Sequence, residues 1–410
     1  MTVLILVGYG SGWLSLLRRA VPDRRVVIVE EPAVARARGA RAHLAEHWPE
    51  CELYELEFQR PMAADLFHLW HPELAAAAVI PIDDTAVEFA ARLAQRLGRP
   101  GAGPAPAGIL RDKYLLRQVA DAAGIPNPDW RLVREPDEAV AFAGRVGSVV
   151  LKPTARAGSS GVRIVPDPGG LRRAWEEMTG PPAHHSIRRP ATESYLAERR
   201  MTGWQYNVNL LVERGRVIFE AVVATDVATG THPVPVTETL TPEPSEHHDA
   251  LVGAARRLVE ASGFGTGFIH SEWIVEDGVP HLVECAGRLA GNPIMVMIGY
   301  AFGFDVLAAY LSLMAGESPG PLPRRPRRAA VMLTKRVRPG RVLSVRGADR
   351  AAALPGVAAL EVMVREGETL TELISLPSAA ARVVAHGTDV AEACRVGEAA
   401  LAAVEIVTTA

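Results

Sequence analysis

The sequence predicts a chain of mixed α/β and α+β class divided into four domains, and three observations carry that reading. The first hundred residues alternate buried apolar runs with amphipathic helical patterns, the signature of a parallel sheet with crossover helices. Two later stretches read as long β-hairpins, one turning at Arg214-Gly215 and one around Asp277-Gly278-Val279. Proline-rich connections at 98–108 and 316–328 separate these blocks from one another and from a final α+β segment. A chain of 410 residues also exceeds the size at which one core stops growing. The expected domains are 1–105, 106–190, 191–318 and 319–410.

In chain order, VLILVG, RVVIVE and AAVIPIDD read as buried strands and TAVEFAARLAQRLG as an amphipathic helix, together a Rossmann-like unit. Beyond the hinge, ILRDKYLLRQVADAAG reads as one helix stopped by Gly124. WRLV is a strand, a helix starts near Pro136, and SVVLKPTARAGSSGVRIV is strand, loop, strand. A basic, proline-rich surface segment at 179–192 precedes the first hairpin, and a polar loop at 228–247 follows it. HDALVGAARRLVEASG is a helix, and FIHSEWIVEDGVPHLVECAGR is the second hairpin. The run at 294–315 has the length of a membrane span, but Gly299, Gly303 and Asp305 interrupt it, which predicts a core helix or helix pair.

Composition excludes some functions. With 44 basic against 47 acidic residues the net charge is −3, so no global field draws nucleic acid or an anionic membrane, and neither is an expected partner. Cys51, Cys285 and Cys394 are too scattered for a disulfide framework or a zinc site and suit a reducing cytoplasm. The N-terminus has no basic n-region and reads as a strand rather than a signal peptide. Gly8, Gly10 and Gly12 with Glu30 resemble a dinucleotide fingerprint, but Trp13 stands where its third glycine belongs.

The chemistry-bearing residues cluster in two places. Lys152 ends one strand, and Gly158, Ser159, Ser160 and Gly161 form a small-residue loop after it. That loop is either an ordinary hairpin connection or a flap whose N–H groups close over phosphates. In the second hairpin an odd turn centred on Gly278 pairs Glu272 with Glu284, with His270 and Arg288 on the same face. The rival two-residue Asp277-Gly278 turn pairs Glu272 with Val283 instead. Two facing carboxylates need a proton or a cation between them, and an oxygen-only pair suits Mg²⁺.

RDKYLLRQVADAAGIPNP, VVLKPTARAGSSGVRIV, YLAERRMTGWQYNVNLLVERGRV and GFIHSEWIVEDGVPHLVECAGRLAGNPI resemble the successive signatures of the ATP-grasp superfamily. The last two, with RPGRVLSVRG and LPGVAALEVMVREGETL near the C-terminus, resemble its carboxylate–amine ligase branch, the L-amino acid ligases that make dipeptides. The resemblance implies an ATP-grasp fold: a Rossmann-like N-terminal domain, central nucleotide-clamping domains and a small C-terminal α+β domain. It implies an ATP-dependent ligase that forms an amide through an acyl phosphate and releases ADP and phosphate. ATP and Mg²⁺, with Mn²⁺ as substitute, are the cofactors; a carboxylate and an amine, both amino acids, are the substrates; the expected assembly is a cytoplasmic homodimer.

Carried over by residue, Lys113 and Lys152 touch the phosphates, 158–161 are the flap, and Leu196 to Arg199 form the adenine hinge, with Glu198 near the nucleotide. Glu272 and Glu284 match the magnesium ligands, and Arg288 the arginine that steadies the acyl phosphate. Gln205 replaces a glutamate that many members use on the ribose, and Ala286 replaces an asparagine. Asn292 offers a polar contact near the phosphates, His232 and Glu238 are candidates to meet the amine, and His270 stands beside the metal site. The rival readings are a carboxylase-type relative activating bicarbonate, a nucleotide-binding protein without turnover, and a dinucleotide-dependent oxidoreductase.

Overall fold

The computed structural model describes residues 3–20, 24–156, 158–180, 193–228, 234–370 and 379–409. The N-terminal unit runs β1 (Val3–Val7), α1 (Ser11–Ala20), β2 (Arg25–Glu30), α2 (Pro32–Ala37), α3 (Ala40–His47), β3 (Glu52–Glu55), α4 (Ala63–Trp70), β4 (Ala76–Pro81) and α5 (Val87–Arg96). Its sheet is parallel, ordered β3-β2-β1-β4, as the alternation predicts. β3 carries no apolar run, because every one of its residues is only half-buried at the sheet edge.

The next unit comprises α6 (Pro104–Arg111), α7 (Lys113–Ala122), β5 (Trp130–Val133), α8 (Pro136–Val146), β6 (Val149–Pro153), β7 (Arg163–Val165), α9 (Leu171–Thr179) and β8 (Tyr195–Arg199). The expected single helix through residue 113 is two helices. Asp112 is extended, with φ −105° and ψ 112°, and its side chain accepts from Tyr114 N and Leu115 N. That cap starts α7 afresh and puts Lys113 in its first turn. β8 lies between β5 and β6 in a four-stranded sheet, so this sheet reaches past the expected boundary at 190 to Arg199.

There follow β9 (Trp204–Glu213), β10 (Arg216–Val227), β11 (Pro235–Leu240), α10 (His248–Ser262), β12 (Gly267–Glu276), β13 (Val279–Ala286), α11 (Asn292–Phe302) and α12 (Val306–Met314). The chain continues through β14 (Ala329–Lys335), β15 (Gly340–Arg346), α13 (Ala348–Ala352), β16 (Val357–Val362), β17 (Thr369–Leu370), β18 (Ala381–Gly387), α14 (Val390–Ala403) and β19 (Glu405–Thr408). One eight-stranded sheet is ordered β13-β12-β9-β10-β11-β14-β18-β16. Two expectations change. The polar loop at 228–247 contains β11, whose alternating PVTETL is a strand with a polar face. The C-terminal segment is not a separate layer, since β14, β18 and β16 extend the central sheet and only β17-β15-β19 form a small sheet of their own.

One face of the large sheet packs on α7 and α10 through Val208, Leu210, Trp273 and Leu282. The other packs on α11 and α12 through Leu211, Phe219, Phe268 and Met332, and is left polar toward one end. Among the described residues no single helix is long and apolar enough to cross a membrane; α11 and α12 pass only as a pair bent by 105°.

Candidate active site

The second hairpin sets the geometry. Asp277 and Gly278 have φ of 51° and 78°, and Glu276 pairs with Val279, so the turn is the two-residue type and not the expected odd one. Aspartate–glycine adopts this doubly positive φ readily, and that local preference prevails. Glu272 nevertheless stands opposite Glu284. Trp273 pairs with Leu282 and the register shifts there by one residue, which leaves Val283 as the extra residue of a β-bulge. Its carbonyl accepts from Arg117 Nη2 at 2.7 Å and from Lys152 Nζ at 3.3 Å.

Beside the glutamate pair, Gln205 Nε2 donates to Glu272 Oε2 at 3.3 Å. His270 Nε2 lies 3.7 Å from Glu272 Oε1, and its Nδ1 is 2.9 Å from Asn209 Oδ1. Burial pushes the Glu272 carboxyl up, but His270, Arg288 and Lys113 hold it below the usual carboxylate range. Lys113 Nζ sits 3.0 Å from Glu284 Oε1 and donates to the Arg156 carbonyl at 2.7 Å. Each glutamate side chain keeps 33% of its exposure, so both can be reached from solvent. Among the described residues no three His, Cys, Asp or Glu side chains form a ready-made metal cage. A facing carboxylate pair that completes a cation's shell with phosphate oxygens and water is how Mg²⁺ is usually held, so the donor set fits that ion.

Lys152 of β6 is buried in a charge network. Glu198 accepts from Arg117 Nε at 3.0 Å and Nη2 at 3.3 Å, and lies 2.7 Å from Lys152 Nζ. All three residues are buried. Glu198 is held ionised, since the two cations outweigh its desolvation. Lys152 is drawn down to about 8, because burial, Arg117 and Lys113 outweigh the one carboxylate it shares. Leu196 is fully buried in β8 and Glu198 is committed to these cations, so both side chains of the expected adenine hinge point into the structure.

In the loop after β6, Gly158, Ser159 and Gly161 have φ of 63°, 58° and 80°. Underneath, buried Arg156 grips Glu193 at 2.6 and 2.7 Å and donates to the Met178 carbonyl at 3.2 Å. A Cβ on Gly161 would fall 2.8 Å from Arg156 Nη1, so the loop rests directly on this pair. Ser160 is half-buried alongside. Arg288 Nη2 donates to Asp84 Oδ2 at 2.8 Å, tying the N-terminal unit to the site.

On the same sheet face, buried Glu238 accepts from Asn207 Nδ2 at 3.2 Å. Its carboxyl is pushed up to about 7 by burial and by Glu272. Asn207 Oδ1 and Asn209 Nδ2 are buried without a hydrogen-bond partner. His232 lies outside the described residues. Asn292 is the first residue of α11, one short loop beyond Arg288.

Residues 336–409 match the family model described as L-amino acid ligase C-terminal domain 2. Over the whole chain the structure is similar to an L-amino acid ligase from Bacillus licheniformis, with a TM-score of 0.79 at 16% identity, covering 100% of this chain and 99% of that one. The fold is that of the ATP-grasp superfamily, and these matches support its carboxylate–amine ligase branch. It is 29% identical over 280 residues to the uncharacterized protein y4rH of Sinorhizobium fredii, covering 67% of this chain and 56% of that protein. It is 24% identical over 298 residues to the alanine–anticapsin ligase of Bacillus subtilis, covering 69% and 61%. The chain thus spans less than two thirds of the length of either curated relative.

Sequence reasoning missed Arg117, Asp84, Arg156 and Asn207. Arg117 lies four residues after Lys113, one helical turn on, and a second cation on the face shared by Lys113, Leu116 and Ala120 was the available signal. The others come from tertiary pairing and left none. The dinucleotide fingerprint fails structurally as well as in spacing. Glu30 is 1% exposed, and its carboxylate accepts from Tyr9 N at 2.8 Å and Glu31 N at 2.6 Å, so it cannot meet a ribose.

Proposed function

We propose that the chain is an ATP-dependent ligase joining the carboxylate of one amino acid to the amine of another, through an acyl phosphate. The observation that carries this reading is Glu272 facing Glu284 across the bulged hairpin, with Lys113 and Lys152 beside it. A carboxylate oxygen attacks the terminal phosphorus of ATP, the bond to the bridging oxygen breaks and ADP leaves. The amine nitrogen then attacks the acyl carbon, the C–O bond to phosphate breaks, and the nitrogen gives up a proton.

Glu272 and Glu284 would hold the magnesium that, when bound, neutralises the phosphates. Lys113 and Lys152 place positive charge on the transferred group, and the loop at 158–161 closes over it to exclude water. Arg288, held by Asp84, stabilises the oxyanion formed as the amine adds. Glu238 and the free Asn207 Oδ1 offer two acceptors to an ammonium on the same sheet face, which suits an amino-acid substrate. His270, oriented by Asn209, fixes Glu272.

An array of amino-acid pairs with MgATP tests this, scored for ADP, phosphate and the coupled mass. Release of AMP and pyrophosphate would sink the acyl-phosphate route. Incorporation of labelled bicarbonate would transfer the reading to the carboxylase side of the superfamily.

A further inference from the structure

The apolar stretch at 294–315 builds a feature that ligation does not use. Gly303, at φ 72°, ends α11, Asp305 caps α12, and the two helices meet at 105°. The inside of that elbow is not filled. A cavity of about 660 Å³ lies between it and α1, walled by Trp13, Leu16, Met295, Tyr300, Phe304 and Leu307. It shares no residue with the candidate active site.

Two cations stand on its lining. Arg327 and Arg328 are exposed, and neither guanidinium has an ion-pair or hydrogen-bond partner among the described residues. The lining's one carboxylate, Asp305, accepts from Ala308 N at 2.9 Å and pairs with neither arginine. The cavity is of the size that takes a small organic ligand, and its walls reward an apolar body. Unpaired guanidiniums favour a carboxylate, which they can hold bidentately, and repel a cation. We infer that this cavity is a second ligand site, for an amphipathic carboxylate whose apolar body enters the elbow and whose anionic end meets Arg327 and Arg328. The carboxylate belongs either to a free medium-chain acid or to an apolar dipeptide.

Calorimetric titration of the full chain with sodium decanoate, the dipeptide Leu-Phe and decyltrimethylammonium tests it. One of the two anions is expected to bind once per chain and the cation not at all; which anion binds more tightly identifies the source. Arg327→Ala with Arg328→Ala should weaken that binding at least ~10-fold, as for loss of a charge-assisted pair. Gly299→Leu fills the cavity from a position where an added Cβ meets only the Phe304 carbonyl, at 3.5 Å, and should abolish binding. The arginine pair decides the matter should that variant fail to fold. Equal binding of cation and anion, binding by neither anion, or undiminished affinity in the arginine variant would overturn the site. So would a two-chain mass in light scattering that Gly299→Leu reduces to one, since a second copy would then fill the elbow.

Discussion

Glu198→Gln removes a charge, at nearly constant volume, from between two buried cations. In the native arrangement Glu198 holds Arg117 at 3.0 and 3.3 Å and Lys152 at 2.7 Å. Deleting one partner of a buried ion pair costs about 3–5 kcal/mol, because the charge left behind keeps its desolvation cost. Both cations retain the Val283 carbonyl, which argues for the low end, ~3 kcal/mol. At about 2–4 °C per kcal/mol for units of this size, the melting temperature should fall by roughly 6–12 °C. Lys152 also loses the carboxylate that holds its pKa up at about 8, so in the variant it discharges at lower pH. Wild-type kcat/KM for ATP should therefore decline above about pH 8, and that decline should begin earlier in the variant. The stability effect of Lys152 has the opposite sign. Its native value lies below the 10.5 of the unfolded chain, so its contribution is most unfavourable below about pH 8 and becomes less so toward 10.5. Thermal melts and ATP saturation curves from neutral to alkaline pH read both effects. A melting temperature within a degree of wild type, with an unmoved pH profile, would refute the argument that Glu198 neutralises this pair.

Arg288→Ala should leave ATP binding near wild type and lower kcat by ~10²-fold or more, as for loss of an electrostatic stabiliser; Asp84→Asn, which keeps the arginine, should cost much less, and equal losses would show that Arg288 acts only by docking the N-terminal unit. Glu284→Gln should abolish ligation and weaken the dependence of rate on magnesium concentration; full activity would remove Glu284 from the metal site. Hydrogen exchange across 158–161 should slow when MgATP is added, whereas exchange indifferent to nucleotide would return that loop to an ordinary connection.

Much of the fold was legible because its signals are local. The buried runs of β1, β2 and β4, the WRLV of β5 and the Arg214-Gly215 turn, with φ of 48° and 78°, all carry their structure in a few adjacent residues. The helix break at Asp112 was also local, but aspartate inside an apolar period reads as a solvent-facing position until its side chain is seen capping Tyr114 and Leu115. β11 was hidden by its composition, because a strand whose inward face carries Glu238 toward a polar site looks like a loop. The merging of β14, β18 and β16 with the central sheet depends on pairings between segments far apart in sequence, and a proline-rich linker at 316–328 gives no sign of them.

The second hairpin shows why the glutamate pairing could be reached by a mistaken route. An Asp277-Gly278 turn with a regular ladder would oppose Glu272 and Val283 and send Glu284 to the other face. An odd turn would bring the glutamates together, and so would a two-residue turn with one residue fewer on the return strand. The protein has neither: it keeps the favoured turn and the additional residue, and absorbs the difference in a bulge at Val283. The extra residue is therefore not needed for the carboxylates to face each other. What it adds is a backbone carbonyl released from the ladder and taken up by Arg117 and Lys152, the two cations that enclose Glu198. One irregularity thus sets the glutamate register and supplies an acceptor to the lysine that faces the phosphates in the proposed reaction, fastening β6 and α7 to the edge strand of the central sheet.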